Sequence, residues 1–145
     1  MRSKPYWQIL MVRCARTIND MERSYVRKLN PQVAERLAQQ IRCLLIEKQY
    51  LTDPGISERD LCGWLGVNRP TVAATMQLHF DGTFREVLNR WRIDRAKVLL
   101  KDKRQAALSC EQIGLSVGFA SRQSFYNSWR KIVGGTPQEY RRNYM

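Results

Sequence analysis

Apolar positions recur at three- and four-residue spacing along most of this chain, the period of amphipathic helices. Trp7, Met11, Cys14, Ile18, Met21 and Tyr25 alternate by four and three, a heptad stripe shorter than the roughly three to four heptads that define a coiled coil. It predicts one amphipathic helix that packs locally, with a dimer-forming helix as the alternative. Asn30-Pro31 is a strong helix start, with Asn as N-cap and Pro in the first position. Val33, Leu37, Ile41, Leu44 and Leu45 then predict a helix to about Gln49. Asp53-Pro54-Gly55 is turn chemistry, and Ser57 to Asp60 reads as a capping box before a short helix with Leu61 and Leu65 inside. Gly66 closes that helix where φ > 0 is usual. Asn68 caps the next, with Arg69 and Pro70 in its first turn and Val72, Met76 and Phe80 as inner stripe, and Asp81-Gly82-Thr83 breaks it.

The longest predicted helix runs from Phe84 to about Asp102. Phe84, Val87, Leu88, Trp91, Val98 and Leu99 form one apolar side, and Ile93, Ala96 and Leu100 add a second flank. Glu86, Arg90, Asp94, Lys97 and Lys101 take the wet side, so this helix should be packed from two directions. After the polar linker Lys103–Ala107, Ser109 and Gln112 start another helix. Ser121 to Val133 then carries Phe125, Trp129, Ile132 and Val133 at helical spacing. Gly134-Gly135 stops it, and Thr136-Pro137-Gln138-Glu139 combines an N-cap, a first-position proline and a capping-box glutamate.

The chain repeats itself. At an offset of 52, Ser57, Leu61, Leu65 and Gly66 fall on Ser109, Ile113, Val117 and Gly118. One extra residue in the second turn makes the offset 53, and Val72, Met76, Phe80, Gly82, Thr83 and Glu86 fall on Phe125, Trp129, Val133, Gly135, Thr136 and Glu139. Cys62 and Gly114 coincide as small residues where two helices must approach closely. Each half reads as a helix-turn-helix unit followed by a capped helix. Two such units present two recognition helices, which enter successive major grooves when their centres lie about 34 Å apart. A connecting helix of about 28 Å is of that order.

Charge narrows the partner. The 145 residues carry a net charge of +12 with 43% hydrophobic content, so the chain can fold and favours a polyanion, whether DNA, RNA or an anionic membrane surface. Nothing reaches the roughly 18 consecutive apolar residues of a membrane span, and Ile9–Val12 is too short for a signal peptide. Cys14, Cys43, Cys62 and Cys110 are scattered without a C-x-x-C pair and there is one histidine, His79. Free thiols in the cytoplasm are expected, with no zinc site and no cofactor. Without a Ser/His/Asp arrangement, a phosphate loop or paired carboxylates, the chain is not expected to be an enzyme. Trp64, Trp91 and Trp129 are expected in cores.

The polar face of Ser121–Val133 is the strongest candidate for chemistry. Arg122, Gln123, Ser124, Tyr126, Asn127, Arg130 and Lys131 form the second-lobe DNA-contact set: Gln123 or Asn127 suits adenine, Arg122 suits guanine, and Lys131 suits phosphate. The first-lobe set is Arg69, Pro70, Thr71, Ala73, Ala74 and Gln77. Alanine touches a thymine methyl but cannot hydrogen-bond a base edge, so the second lobe is expected to supply most of the specificity.

The block RIDRAKVLL, a polar linker and then IGLSVGFASRQSFYNSWRKIVGGTPQEYR resembles the AraC/XylS family of bacterial transcriptional regulators. The likeness is gapless from about Leu61 to Arg141, with the pattern GF-x-S…F…G-x-TP-x-x-YR, and Asn30–Leu51 is similar to the family's first domain helix. Gly114 departs from the family's usual alanine, and Ala73 and Ala74 stand where long polar side chains are common. The resemblance implies an all-α fold of two helix-turn-helix, homeodomain-like subdomains joined by a long helix. Residues 1–29 would be an N-terminal helix or linker, and residues 30–145 the DNA-binding domain. Its first lobe would span about 30–83, the connecting helix 84–102 and the second lobe about 108–145. It implies sequence-specific binding of double-stranded DNA and RNA polymerase as a partner if the protein activates transcription, while the heptad-like stripe leaves a homodimer through residues 7–25 as an option. The family's separate sensory region does not fit in 29 residues, so a minimal regulator and the C-terminal part of a longer one are both open. An architectural or weakly specific DNA-binding protein is the alternative function.

Overall fold

The computed structural model describes Ser24 and residues 26–145. The stripe from Trp7 to Tyr25, and with it the dimer expectation for residues 7–25, lies outside the described residues. Among these, the secondary structure is helical with no strand: α1 (Pro31–Arg42), α2 (Glu58–Leu65), α3 (Arg69–Phe80), α4 (Phe84–Lys101), α5 (Cys110–Ser116), α6 (Arg122–Ile132) and α7 (Pro137–Tyr144). Three-residue 3-10 turns occupy Tyr50–Thr52 and Lys103–Gln105.

Local chemistry sets the helix ends. Asn30 Oδ1 accepts from the Gln32 amide at 2.9 Å to start α1. The helix expected to run evenly to about Gln49 instead widens into a π turn over Cys43–Glu47, and Gln49 adopts a left-handed φ of 58°. Leu37, Ile41 and Leu45 are all buried at steps of four, each step drifting about 40° on a regular α-helix, and a wider turn keeps the last of them on the same face. The duplicated caps also form. Ser57 with Asp60 and Ser109 with Gln112 make reciprocal capping boxes. Asn68 and Ser121 cap the two third-position amides that follow them. Thr83 with Glu86 and Thr136 with Glu139 close the series. At the end of α3 it is Asp81 that turns left-handed, φ 55°, matching Gly134 at φ 83°.

The chain forms two compact units. The first joins the described residues up to Lys48 with Ser57–Val87, and the second joins Gln49–Ile56 with Leu88–Met145. In the first, α3 packs against both α1 and α2. Ala34, Leu37, Ile41, Leu61, Val72, Ala74, Met76 and Val87 are buried there. In the second, Ile93, Ala96, Leu100, Cys110, Ile113, Val117, Phe119, Phe125 and Trp129 form one core. Arg92 is buried in that unit: Nε donates to Leu51 O and Nη2 to Asp53 O, both at 2.8 Å, and the guanidinium lies over the Phe119 ring at 5.7 Å. It ties the 49–56 segment down.

Three apolar expectations are corrected. Val98 is 68% exposed, because Ile93, Ala96 and Leu100 form the buried row of α4 and Val98 lies about 200° round from Ala96. Trp64 is 48% exposed rather than in a core, and Ile132 is 37% exposed. The repeat pairs Trp64 with Ser116 and Ile132 with His79, so both stand at positions where the other copy is polar.

A Cβ built on Gly114 would lie 2.4 Å from Phe125 Cδ1, whereas one on Gly63 would meet nothing within 4 Å. The first unit answers the Gly114–Phe125 combination with Cys62 and Val72, a larger residue beside a smaller one. Gly114→Ala is therefore expected to destabilise by about 1–3 kcal/mol through overpacking. Gly63→Ala, on an exposed helix surface, should stabilise by up to about 1 kcal/mol. Urea unfolding of the two variants beside the parent chain measures both. The Asp60 carboxyl is held below its ordinary pKa, first by the Ser57 backbone amide and then by the Ser57 hydroxyl. A depressed folded pKa stabilises above the unfolded value and ceases to as pH falls through the folded one. The stability advantage of the parent chain over Asp60→Asn should therefore shrink as pH drops from about 5 to 2, as read by unfolding at each pH.

Candidate nucleic-acid interface

The outward face of α6 is fixed from within. Ser121 Oγ accepts from the Ser124 amide at 3.1 Å, and Ser124 Oγ accepts from the Ser121 amide at 3.2 Å while donating to Ser121 O at 2.8 Å. Ahead of the cap, Gly118 sits at φ 112°, and a Cβ there would lie 2.5 Å from Leu51 O, so the turn into α6 requires glycine. Phe125 and Trp129, one helical turn apart and fully buried, turn α6 onto the core. Their rings meet edge to face with centroids 5.9 Å apart.

With that face inside, Gln123, Asn127, Arg130 and Lys131 are exposed on the other side, and Arg122 is exposed in the first turn. The remaining two expected second-lobe residues have duties within the unit. The Ser124 hydroxyl is spent on the cap. Tyr126 is half-buried: its ring stands edge-on to Phe125 at 5.6 Å, and its hydroxyl accepts from Gln138 Nε2. Arg122 Nε lies 3.2 Å from Glu111 Oε1, and its guanidinium is 5.3 Å from the Tyr126 ring centre. Glu111, Gln138 and their support of this face were not anticipated from the sequence.

The equivalent surface of α3 is poorer. Arg69 is exposed and its Nε donates to Glu58 Oε2 at 2.9 Å. Pro70 is half-buried in the first turn, and Thr71 commits both amide and hydroxyl to Asn68 Oδ1, at 3.0 and 2.6 Å. Ala73 is half-buried. Ala74, expected at the DNA surface, is only 1% exposed and must be removed from the contact set, because α3 is covered by α1 as well as α2. Thr75 is buried beside it and donates to Thr71 O at 2.8 Å. Gln77 is half-buried with its amide oxygen turned inward.

Other chemistry is sparse among the described residues. Cys43, Cys62 and Cys110 are free. Their thiols are all pushed up, Cys43 chiefly by donating to Glu47 and the other two chiefly by burial, which disfavours the reactive thiolate. No group of three or more His, Cys, Asp or Glu side chains is placed to hold a metal ion. No helix there is long and apolar enough to cross a membrane.

Residues 61–143 match the family model of a helix-turn-helix domain, which is more than half of the chain. Over 90 residues the chain is 28% identical to the melibiose operon regulatory protein of Escherichia coli K12, and equally to that of strain O6:H1. The match covers 62% of this chain but 29% of either regulator, so the chain spans under a third of those relatives. Among solved structures, the C-terminal domain of AraT, a response regulator from Geobacillus stearothermophilus, superposes with a TM-score of 0.63. It is 21% identical, with 81% of this chain and 89% of that one covered. The C-terminal domain of the two-component response regulator yesN from Fusobacterium nucleatum gives 0.61 at 25% identity, covering 74% and 97%. A duplicated helix-turn-helix scaffold, an exposed polar face on α6 and a family match over residues 61–143 agree: the chain belongs to the AraC/XylS family of helix-turn-helix transcription regulators.

Proposed function

We propose that this protein is a sequence-specific transcription regulator that places α3 and α6 in adjacent major grooves of double-stranded DNA, with α6 supplying most of the base discrimination. The observation that carries the reading is the exposed group Gln123, Asn127, Arg130 and Lys131 set opposite the buried Phe125 and Trp129, with Arg122 exposed at the start of the same helix. Gln123 and Asn127 have the donor and acceptor pair that matches adenine, and Arg122 the fork that matches guanine. Arg130 and Lys131 lie nearer the C-terminal end of α6 and suit phosphate. Arg69 is the polar reader left to α3, whose other expected contacts are capped or half-buried, so the first lobe chiefly fixes position through the backbone. The melibiose regulator's name supports the transcriptional role, and an activator of this kind would also meet RNA polymerase. A second reading, an architectural or weakly specific DNA-binding protein, draws on the burial of Ala74 and the net charge of +12.

In vitro selection of duplex sites followed by binding titrations at several salt concentrations separates the two readings. A specific regulator enriches a motif and binds it roughly 10³-fold or more tighter than random DNA at physiological salt. Equal affinities with only a steep salt slope would sink the specific reading. Within that assay, Gln123→Ala should relax preference at one base position, at a cost of about 1–3 kcal/mol on the selected site. Lys131→Ala should weaken every sequence alike and flatten the salt slope by about 1. A selected motif unchanged by Gln123→Ala would remove Gln123 from the reading face.

A further inference from the structure

Both reading helices begin with an arginine, and each arginine meets a glutamate through Nε, by a hydrogen bond at Arg69 and at ion-pair distance at Arg122. Arg69 Nε lies 2.9 Å from Glu58 Oε2, and Arg122 Nε lies 3.2 Å from Glu111 Oε1. The offset of 53 that superposes α3 on α6 carries Arg69 onto Arg122, whereas the offset of 52 that superposes α2 on α5 leaves Glu58 and Glu111 one position apart, first and second in their helices, so equivalent arginines are met by glutamates from neighbouring positions. Each glutamate stands in the first turn of the helix ahead of the reader, α2 or α5.

A guanidinium presents its donors on a side edge that includes Nε and on an end formed by the two Nη groups. A carboxylate at Nε takes the side edge and leaves the Nη end free for a bidentate contact with O6 and N7 of guanine. Exposure divides the same way in both pairs. The arginine side chains are 82% and 70% exposed while their glutamates are 21% and 37% exposed, so the acid is the held member and the arginine the presented one. Arg122 is flanked as well by the Tyr126 ring, whose hydroxyl is bonded to Gln138. An acid close to DNA repels phosphate and so lowers affinity for every sequence alike. Ordering a long side chain before binding favours the one contact it is ordered for.

We infer that Glu58 and Glu111 are positioning residues for DNA recognition, each holding Arg69 or Arg122 by Nε so that its Nη end meets a guanine edge. The inference rests on the reading of α3 and α6 as recognition helices. It differs from simple electrostatics in sign: loss of a negative charge tightens binding to all DNA, whereas loss of a positioning group weakens the selected site.

The test uses the full chain, a duplex site obtained by in vitro selection and a random duplex of equal length. Glu111→Gln should weaken the selected site about three- to ten-fold while random DNA binds as well as before or better. Selection repeated with this variant should lose a guanine preference at one position. In an Arg122→Ala background, Glu111→Gln should no longer change the ratio of the two affinities. Glu58→Gln should act in the same way through Arg69. Asp94→Asn, which changes the net charge equally, should move both DNAs together. The inference is overturned if Glu111→Gln tightens both DNAs in parallel like Asp94→Asn, or weakens both in parallel with a lowered melting temperature. A parent chain that fails to distinguish the selected site from random DNA overturns instead the reading on which the inference rests.

Discussion

The Phe125 ring pressed against the bare backbone of Gly114 is the contact on which the α6 surface depends. A side chain on Gly114 would place its first carbon 2.4 Å from Phe125 Cδ1, so α5 and α6 approach closely only because that carbon is missing. The approach fixes the rotation of α6 about its axis, and Trp129 one turn later repeats the constraint. Once those two are inside, a 100° step per residue puts Gln123 and Asn127, two residues either side of Phe125, on the far side of the helix. The orientation of the polar residues is thus a consequence of core packing. That is why a substitution at a buried glycine bears on a proposed DNA surface it never touches.

The two units share caps and turns but differ in what covers the second helix of each helix-turn-helix pair. In the second, α5 packs on α6, and the polar residues of α6 stay open. In the first, α1 packs on α3 in addition to α2, which takes Ala74 and Thr75 into the core alongside the Val72 and Met76 stripe. A helix packed on two sides has less circumference left for solvent. The small side chain at Ala74 follows from this: a long polar residue there would be buried without a partner, at a cost of about 1–3 kcal/mol. The depleted face of α3 is therefore a packing requirement of the first unit.

Most of this architecture was legible in the sequence because it rests on local chemistry. Capping pairs, left-handed glycines and apolar steps of three or four act within a turn or two of helix, and a duplication displays each of them twice. Partners distant in sequence were not legible. Periodicity gave α4 two apolar flanks, but only the fold reveals that Val98 faces solvent while Arg92, forty residues from the carbonyls it binds, is buried. The π turn at Cys43–Glu47 escaped for a related reason, since it reconciles a stripe spaced by four with a surface that only tertiary packing defines. In the candidate interface, residue types pointed to the right face of α6, yet they could not say that Ser124 is spent on a cap or that Tyr126 answers to Gln138. They also could not foresee that Ala74 leaves the surface altogether.

Covalent linkage gives the unequal lobes their use in the proposed reading. A net charge of +12 supplies attraction to any DNA, so affinity alone is not the difficulty. Discrimination is, because it must come from the few side chains that reach base edges. When α6 engages its bases, the tethered first unit faces neighbouring DNA at a high effective concentration, and even weak phosphate contacts then lengthen the complex's lifetime. Those contacts need few base-reading residues, only a correctly placed helix start beside the single reader Arg69. The same tether limits errors: on a wrong sequence α6 gains nothing beyond phosphate, and the first unit has no more than the Arg69 contact with which to compensate. A poor first reader is thus compatible with high specificity, provided that the good one is rigidly aimed.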